Sequence, residues 1–247
     1  MQATEISSSQ SEGPTEPQPL EEQAYRRLRQ ALVEGTFAPG DKLSIRRIAS
    51  ALGTSPMPAR AALRRLAAEQ ALDVITSSGT AIVPRLTRQA FVELSEVRAA
   101  LEPLALRLAT PHLGPPVLRK LAELVDEHET YRTAGRAEEF LRLDREFLFA
   151  LYRQAEAPLL LGMIEGLWLR RGPLFWEARW ILMARPVEAA HRHRQILDAL
   201  VQGDGLGAAR ELEIEIRDTT AFLLKEIRFT GDAGTGPNVL PVLRPGG

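Results

Sequence analysis

The chain has 247 residues, of which 45% are hydrophobic and 26% charged, with a formal net charge of −1 and no cysteine. This length and composition predict one large or two ordinary domains around a core, and the lack of cysteine excludes disulfides, thiolate catalysis and cysteine zinc sites. No stretch reaches the roughly 18 apolar residues of a transmembrane helix, and the first twenty residues lack the blocks of a signal peptide. We therefore expect a cytoplasmic protein without a membrane partner.

Both ends of the chain have the composition of tails. Residues 1–19 are Ser, Glu, Gln, Pro and Thr with acidic residues that have no basic neighbours, which predicts a disordered acidic tail. Residues 231–247 repeat Gly and Pro and predict a flexible tail. Between them we expect two domains, 20–84 and 85–230.

Positive charge is concentrated in residues 26–66. This block holds nine basic residues and only two acidic ones, Glu34 and Asp41. Such a block in a neutral chain indicates a face for a polyanion such as nucleic acid, although solvated helix faces are the alternative.

The same block has helical spacing. A first helix ends at Gly35, and Ser44 is placed to cap a second helix over 45–52 that Gly53 closes. A third helix follows Ser55, which is again placed to cap it.

A β-hairpin follows the third helix. Residues 72–75 and 80–83 alternate around a Thr-Ser-Ser-Gly turn. Three short helices and a hairpin predict a winged helix-turn-helix, whose third helix presents Arg60 and Arg64 to a DNA major groove.

Residues 85–230 predict an all-α second domain. Trp176 and Trp180 share a helix face, which suits a core, a dimer interface or the wall of an apolar cavity. Gly and Pro divide this region into helical segments at about 88–110, 115–133, 137–155, 158–183, 186–202 and 205–229.

The chain resembles the GntR transcription regulators in two places. These are the helix-turn-helix signature of residues 48–66 and the end of the wing, Gly79–Val83. The spacing of Arg98 and Glu102, and the run 193–204, resemble the all-helical effector domain, of FCD type, in the FadR subgroup. The resemblance implies a mainly α fold with an N-terminal winged helix-turn-helix, a small β-hairpin wing and a C-terminal helical bundle. It also implies a homodimer on double-stranded operator DNA with an inverted repeat, controlled by a small-molecule effector.

The resemblance also assigns DNA contacts. Arg60 is placed either to read guanine through two hydrogen bonds or to clamp a phosphate. Pro56 replaces a usual Arg, and Gln70 replaces a usual Gly, at the cost of strain if its φ is positive. The implied DNA-binding residues are Arg46, Ser55, Met57, Arg60, Arg64, Ser78 and Gly79.

Many helical domains of this subgroup hold a divalent metal through one Asp and three His, and the resemblance matches these positions to Asp144, Leu148, His193 and Glu215. Leucine cannot ligate a metal, so we favour a pocket without a tightly held metal. Asp144 and His193 then either face a cavity with a ligand or have a neighbouring partner, which for Asp144 would be an arginine. Zinc, nickel or manganese held by Asp144, His193, Glu215 and water is the alternative. Leu148 and the Trp-rich segment tilt the expected effector toward an apolar one.

Arg98 has two interpretations. It either faces the effector cavity and holds a carboxylate bidentately, or it pairs with Glu102 one helical turn later.

We therefore predict a ligand-responsive, DNA-binding transcription regulator and not an enzyme. One alternative is a helical-pocket enzyme that uses Asp144, His193 and Arg98, although the chain has no phosphate-cradling Gly loop and no Gly-x-Ser-x-Gly elbow. The other is a DNA-binding protein without an effector.

Overall fold

The computed structural model describes residues 19–75, 79–185 and 192–231. Most of both predicted tails, Ser78 at the wing tip and His191 lie outside the described residues. The N-terminal domain comprises α1 (Leu20–Val33), β1 (Lys42–Ser44), α2 (Ile45–Leu52), α3 (Pro56–Ala68), β2 (Asp73–Ile75) and β3 (Thr80–Ile82). The helical domain comprises α4 (Arg88–Ala109), α5 (Pro115–Thr133), α6 (Ala137–Arg153), α7 (Pro158–Glu177), α8 (Arg179–Met183), α9 (His193–Val201) and α10 (Gly205–Glu226).

The helix-turn-helix forms as its end signals predict. The Ser44 hydroxyl accepts a hydrogen bond from the Arg47 backbone N–H at 3.3 Å, and Gly53 ends α2 with a φ of 62°. Ser55 occupies the position before α3, but its side chain makes no capping hydrogen bond. Gln70 has a φ of 58°, so the strain expected for a residue in place of Gly is present.

The wing is a three-stranded antiparallel sheet in the order β1-β3-β2. The hairpin of β2 and β3 was predicted, but β1 was not, because three residues are too few to show alternation. Leu43 pairs with Ala81, and both side chains are buried in the core of the N-terminal domain.

The helical domain confirms the predicted all-α bundle. Its core lies among α4, α5, α6, α7, α9 and α10, whose facing stripes are mainly Leu, Ile and aromatic residues. The predicted single segment 158–183 is two helices, because the chain turns at Ala178 between α7 and α8. Trp176 and Trp180 therefore lie on different helices, so the shared helix face predicted for them is wrong.

Helix α7 joins the two domains. Leu169 of α7 is buried in the hydrophobic core of the N-terminal domain. Gly172 lies so close to α1 that a Cβ there would be 2.5 Å from the Leu32 carbonyl oxygen. Arg29 of α1 forms an ion pair with Glu165 at 3.2 Å. The N-terminal domain is thus packed directly on the helical domain.

Among the described residues, no helix is both long and apolar enough to cross a membrane.

Candidate DNA interface and effector site

The predicted DNA-contacting side chains of α2 and α3 all lie at the surface. Arg46 projects from α2, and Ser55, Arg60 and Arg64 are exposed at the start and along α3. Met57 is 68% exposed, although methionine is among the residues most often found buried. Gly79 is half-buried at the turn before β3.

The structure divides the basic block into two sets. Four arginines that touch α1 have partners within the chain. Arg26 and Arg65 both pair with Glu22, Arg29 pairs with Glu165, and Arg27 donates to the Leu52 carbonyl. The Arg65 guanidinium also lies 3.5 Å from the centre of the Tyr25 ring.

The remaining cations form what we call the cation face. None of them makes an ion pair within the part of the chain that the structure describes, and all are exposed. Unpaired surface cations on a helix-turn-helix are suited to DNA phosphates, since each neutralised phosphate releases a counterion. The cation face comprises Lys42, Arg46, Arg47, Arg60 and Arg64.

In the helical domain, Arg98 and Glu102 form a buried ion pair. Glu102 is completely buried and accepts from Arg98 Nε at 2.7 Å and Nη2 at 3.3 Å. Tyr152 Oη also donates to Glu102 at 2.7 Å, and Trp168 Nε1 donates at 2.9 Å. Burial, and then the Glu102 charge, raise the pKa of the Tyr152 hydroxyl well above its usual value. Arg98 therefore forms the predicted pair with Glu102, one helical turn later.

Asp144 and His193 do meet. Asp144 Oδ2 accepts from Arg171 Nη2 at 3.1 Å, and Asp144 Oδ1 lies 3.2 Å from His193 Nε2. The His193 ring also packs on His128, with centroids 4.6 Å apart. Sequence reasoning missed His128, although it continues the buried stripe of α5 through Leu121, Leu124 and Val125.

Glu215 has an arginine partner of its own. Arg185 Nη1 donates to Glu215 Oε1 at 3.0 Å and to the Thr219 hydroxyl at 2.6 Å. Leu148 is buried nearby in the core. Arg171 of α7 and Arg185, just after α8, were not predicted, because nothing in the local sequence separates an inward arginine from a solvated one.

These side chains do not fit a divalent metal. Within the described ranges, no three His, Asp or Glu side chains come close enough together to hold an ion. Leu148 offers no ligand atom, and the Asp144 and Glu215 carboxylates each face a guanidinium at 3.0–3.1 Å. A fixed positive charge next to each carboxylate opposes a second cation there. We therefore assign no chemistry to a metal.

Two cavities border the Asp144–Arg171 pair. The inner one, about 20 Å³, also touches Arg98, Leu148 and Glu215. It has room for about one water molecule. The outer one, about 420 Å³, lies between the end of α1 and helices α6 and α7. We call it the junction cavity, because both domains line it.

Arg171 lines both cavities and is a buried arginine packed between two aromatic rings. It is 4% exposed, and its guanidinium lies 3.5 Å from the Trp168 ring centre and 3.8 Å from that of Phe175. Burial, and then the charge of Arg98, lower its pKa to about 10. Its buried Nε–H has no hydrogen-bond partner among the described residues. The junction cavity thus combines aromatic rings with three guanidinium groups and three carboxylates, and the expected apolar effector stays a prediction.

Two family models match the chain. The model of the bacterial regulatory proteins of the gntR family matches residues 20–82, and the FCD domain model matches residues 93–217. Each of the two domains of the chain is thus matched by one family model.

Similar proteins are transcription regulators. The HTH-type transcriptional regulator McbR of Escherichia coli K12 is 31% identical over 81% of this chain and 90% of its own length. The HTH-type transcriptional repressor GlaR of the same strain is 28% identical, over 76% and 88%. A solved structure of E. coli McbR/YncC superposes with a TM-score of 0.76 at 31% identity, covering 84% of this chain and 98% of that one. A putative GntR regulator from Rhodococcus sp. RHA1, at 23% identity, shares the fold with a TM-score of 0.65.

The enzyme hypothesis required Asp144, His193 and Arg98 to act together. Asp144 and His193 are in contact, but Arg98 is held by Glu102. The matched domains and relatives are regulators and not enzymes.

Proposed function

The chain belongs to the GntR family of bacterial regulatory proteins, in its FCD-containing FadR subgroup, and is a DNA-binding transcription regulator, and we propose that it binds an inverted-repeat operator as a homodimer under the control of a small molecule. We assign residues 20–84 to DNA binding and residues 85–230 to effector binding and dimerisation. Since operator DNA lies in the bacterial cytoplasm, we assign the protein to that compartment.

The cation face carries the proposal for DNA binding. Its five cations lie on β1, α2 and α3, and no carboxylate of the described chain forms an ion pair with them. Arg60 is exposed on α3 one helical turn before Arg64, and so enters the major groove when α3 does. Arg46 on α2 is placed for the phosphates beside that groove.

A stripe on α4 supports the homodimer. Val97, Leu101, Leu104 and Leu108 are spaced as one helical face, and Val97 and Leu108 remain 40% and 41% exposed in the single chain. An apolar face of this kind is covered when two copies pack about a two-fold axis. Two N-terminal domains related by that axis match the symmetry of an inverted repeat.

The experiment compares Arg60→Ala with Arg65→Ala on a duplex selected by the purified protein from a random library. Both variants remove one positive charge from α3, but Arg65 is already paired with Glu22 and packed on Tyr25. Fluorescence anisotropy at several salt concentrations measures the affinity.

We expect Arg60→Ala to weaken the selected duplex by about 1–3 kcal/mol and to relax the choice of base at one position in each half-site. If Arg60 only clamps a phosphate, the loss is uniform across sequences and the salt slope falls by about 1. Arg65→Ala should leave the affinity close to that of the wild type. Equal losses in both variants, or failure of the wild type to select any duplex, would contradict the assignment.

A further inference from the structure

The buried charges of the helical domain are balanced among themselves. Within the described ranges, every buried Asp, Glu, Lys or Arg belongs to one of three pairs, each with one guanidinium and one carboxylate. A buried charge is costly unless it is paired, so equal numbers of the two signs allow the core to hold all six groups. We call them the buried ion network, and its pairs are Arg98–Glu102, Asp144–Arg171 and Arg185–Glu215.

We propose that the buried ion network takes the place of the divalent metal that the family resemblance implies, and that the charge of Arg171 is what excludes the metal. The resemblance matches the metal positions to Asp144 and Leu148 on α6, His193 on α9 and Glu215 on α10. A divalent cation would add two positive charges to a network that is already neutral. The inference concerns the core of the helical domain and does not depend on operator binding.

Arg171 lies in a slot that α7 builds for a cation. Trp168 is three residues before it and Phe175 four residues after it, so the three side chains share one face of the helix. The guanidinium lies 3.5 Å from the Trp168 ring centre and 3.8 Å from that of Phe175. Aromatic rings attract a cation through their negative faces, more strongly where water is excluded. Helix α7 thus delivers a lasting positive charge to Asp144.

Asp144 makes two contacts of the kind that a metal ligand would make. Its Oδ2 accepts from Arg171 Nη2 at 3.1 Å, and its Oδ1 lies 3.2 Å from His193 Nε2. This carboxylate therefore joins α6 to α7 and α9. Leu148, one helical turn after Asp144, closes another side of the inner cavity with an apolar side chain.

Arg185, just after α8, supplies the same charge to Glu215. Its Nη1 donates to Glu215 Oε1 at 3.0 Å and to the Thr219 hydroxyl at 2.6 Å. The guanidinium lies 5.5 Å from the centre of the Phe222 ring. Two carboxylates on different helices thus each receive a guanidinium of their own. A shared metal would instead join α6 and α10 through one centre.

Two substitutions should convert this arrangement into a metal site. Leu148→His supplies the missing ligand on α6, one helical turn from Asp144. Arg171→Gln removes the positive charge at Asp144 and keeps a side chain that can donate a hydrogen bond to it. Asp144 and His193 already lie side by side, so the pair of substitutions brings three ligands together.

The test compares the full-length wild type, Leu148→His and the double variant Leu148→His/Arg171→Gln. The control is Leu148→His/Arg170→Gln, which removes the charge of the next residue on α7, an exposed arginine that bonds to Gln70. The wild type is first measured as purified, before any chelator is added. Each protein is then dialysed against EDTA, loaded with Zn²⁺, Ni²⁺ or Mn²⁺, and desalted. Inductively coupled plasma mass spectrometry gives the metal content, and thermal unfolding gives the Tm.

We expect the wild type, Leu148→His and the control to stay free of metal, because the charge of Arg171 remains at Asp144. The double variant should retain about one metal ion per chain, as a single site does. Its Tm should rise by about 5–10 °C at a free metal concentration roughly one hundred times the Kd, since the metal binds the folded state. Adding His193→Gln to the double variant should abolish the uptake.

Three results with the variants would overturn the proposal. These are equal metal uptake by Leu148→His and the double variant, a folded double variant that takes up no metal, and uptake that His193→Gln leaves unchanged. The wild type gives a test that needs no variant to fold. About one metal ion per chain before dialysis, or a Tm that EDTA lowers, would also overturn it, whereas a Tm unaffected by EDTA and by all three metals supports it.

Discussion

Replacing Gly172 by Ala tests how closely the two domains approach. A Cβ on Gly172 would lie 2.5 Å from the Leu32 carbonyl oxygen and 3.0 Å from that of Val33. Ordinary contact begins at 3.4 Å, so the end of α1 would have to move by about 0.9 Å. These are backbone atoms, which cannot rotate away as a side chain does.

The size of the effect follows from two opposing terms. Overpacking costs about 1–3 kcal/mol, and Gly→Ala within a helix returns about 1 kcal/mol. We expect a net loss of about 1 kcal/mol, which lowers the Tm by about 2–4 °C. Gly162 lies on the same helix with nothing within 4 Å of an added Cβ. Gly162→Ala should therefore raise the Tm by a similar amount.

Thermal unfolding followed by circular dichroism at 222 nm compares the two variants with the wild type. The opposite signs are the result that matters, because both substitutions make the same chemical change on one helix. If Gly172→Ala raised the Tm as much as Gly162→Ala, α1 would not lie against α7 as described above. The end of α1 would then not line the junction cavity.

Three further predictions concern other parts of the chain. Glu102→Gln leaves Arg98 without its buried counter-charge, so we expect a loss of about 3–5 kcal/mol in chemical unfolding; a loss below about 1 kcal/mol would mean that the pair is solvated. Ser44→Ala removes a helix cap and should cost about 1 kcal/mol, whereas Ser55→Ala, whose hydroxyl makes no capping bond, should change stability by less than about 0.5 kcal/mol. Leu108→Glu places a charge on the α4 stripe and should shift the protein toward monomer in sedimentation velocity; an unchanged dimer would locate the interface elsewhere.

Local patterns along the chain were enough to predict most of the fold. The 3.6-residue spacing of apolar residues, with Gly and Pro at the ends, predicts α2 and α5 at the bounds that the structure has. These signals are local, because a helix is closed by hydrogen bonds between residues four apart. The strand β1 was missed because it depends on pairing with β3, about forty residues later.

The candidate site shows the limit of local patterns. The i,i+4 spacing of Arg98 and Glu102 allowed their pairing but did not decide it. Tyr152 and Trp168, which are 50 and 66 residues from Glu102, complete the set of donors around its carboxylate. Likewise, nothing in the sequence separates Arg171 from the other 30 Lys and Arg residues until α6 and α7 enclose it.

The sequence by itself determined the two domains, their helices and the basic residues of α2 and α3, because periodicity and charge density are properties of neighbouring residues. Only the tertiary structure decided which arginines pair inside the chain, and it alone created the junction cavity. That cavity exists because Glu34 and Arg145, 111 residues apart, are brought to one place when α1 packs on α7. Contacts across such distances depend on how whole helices pack, which no local pattern encodes.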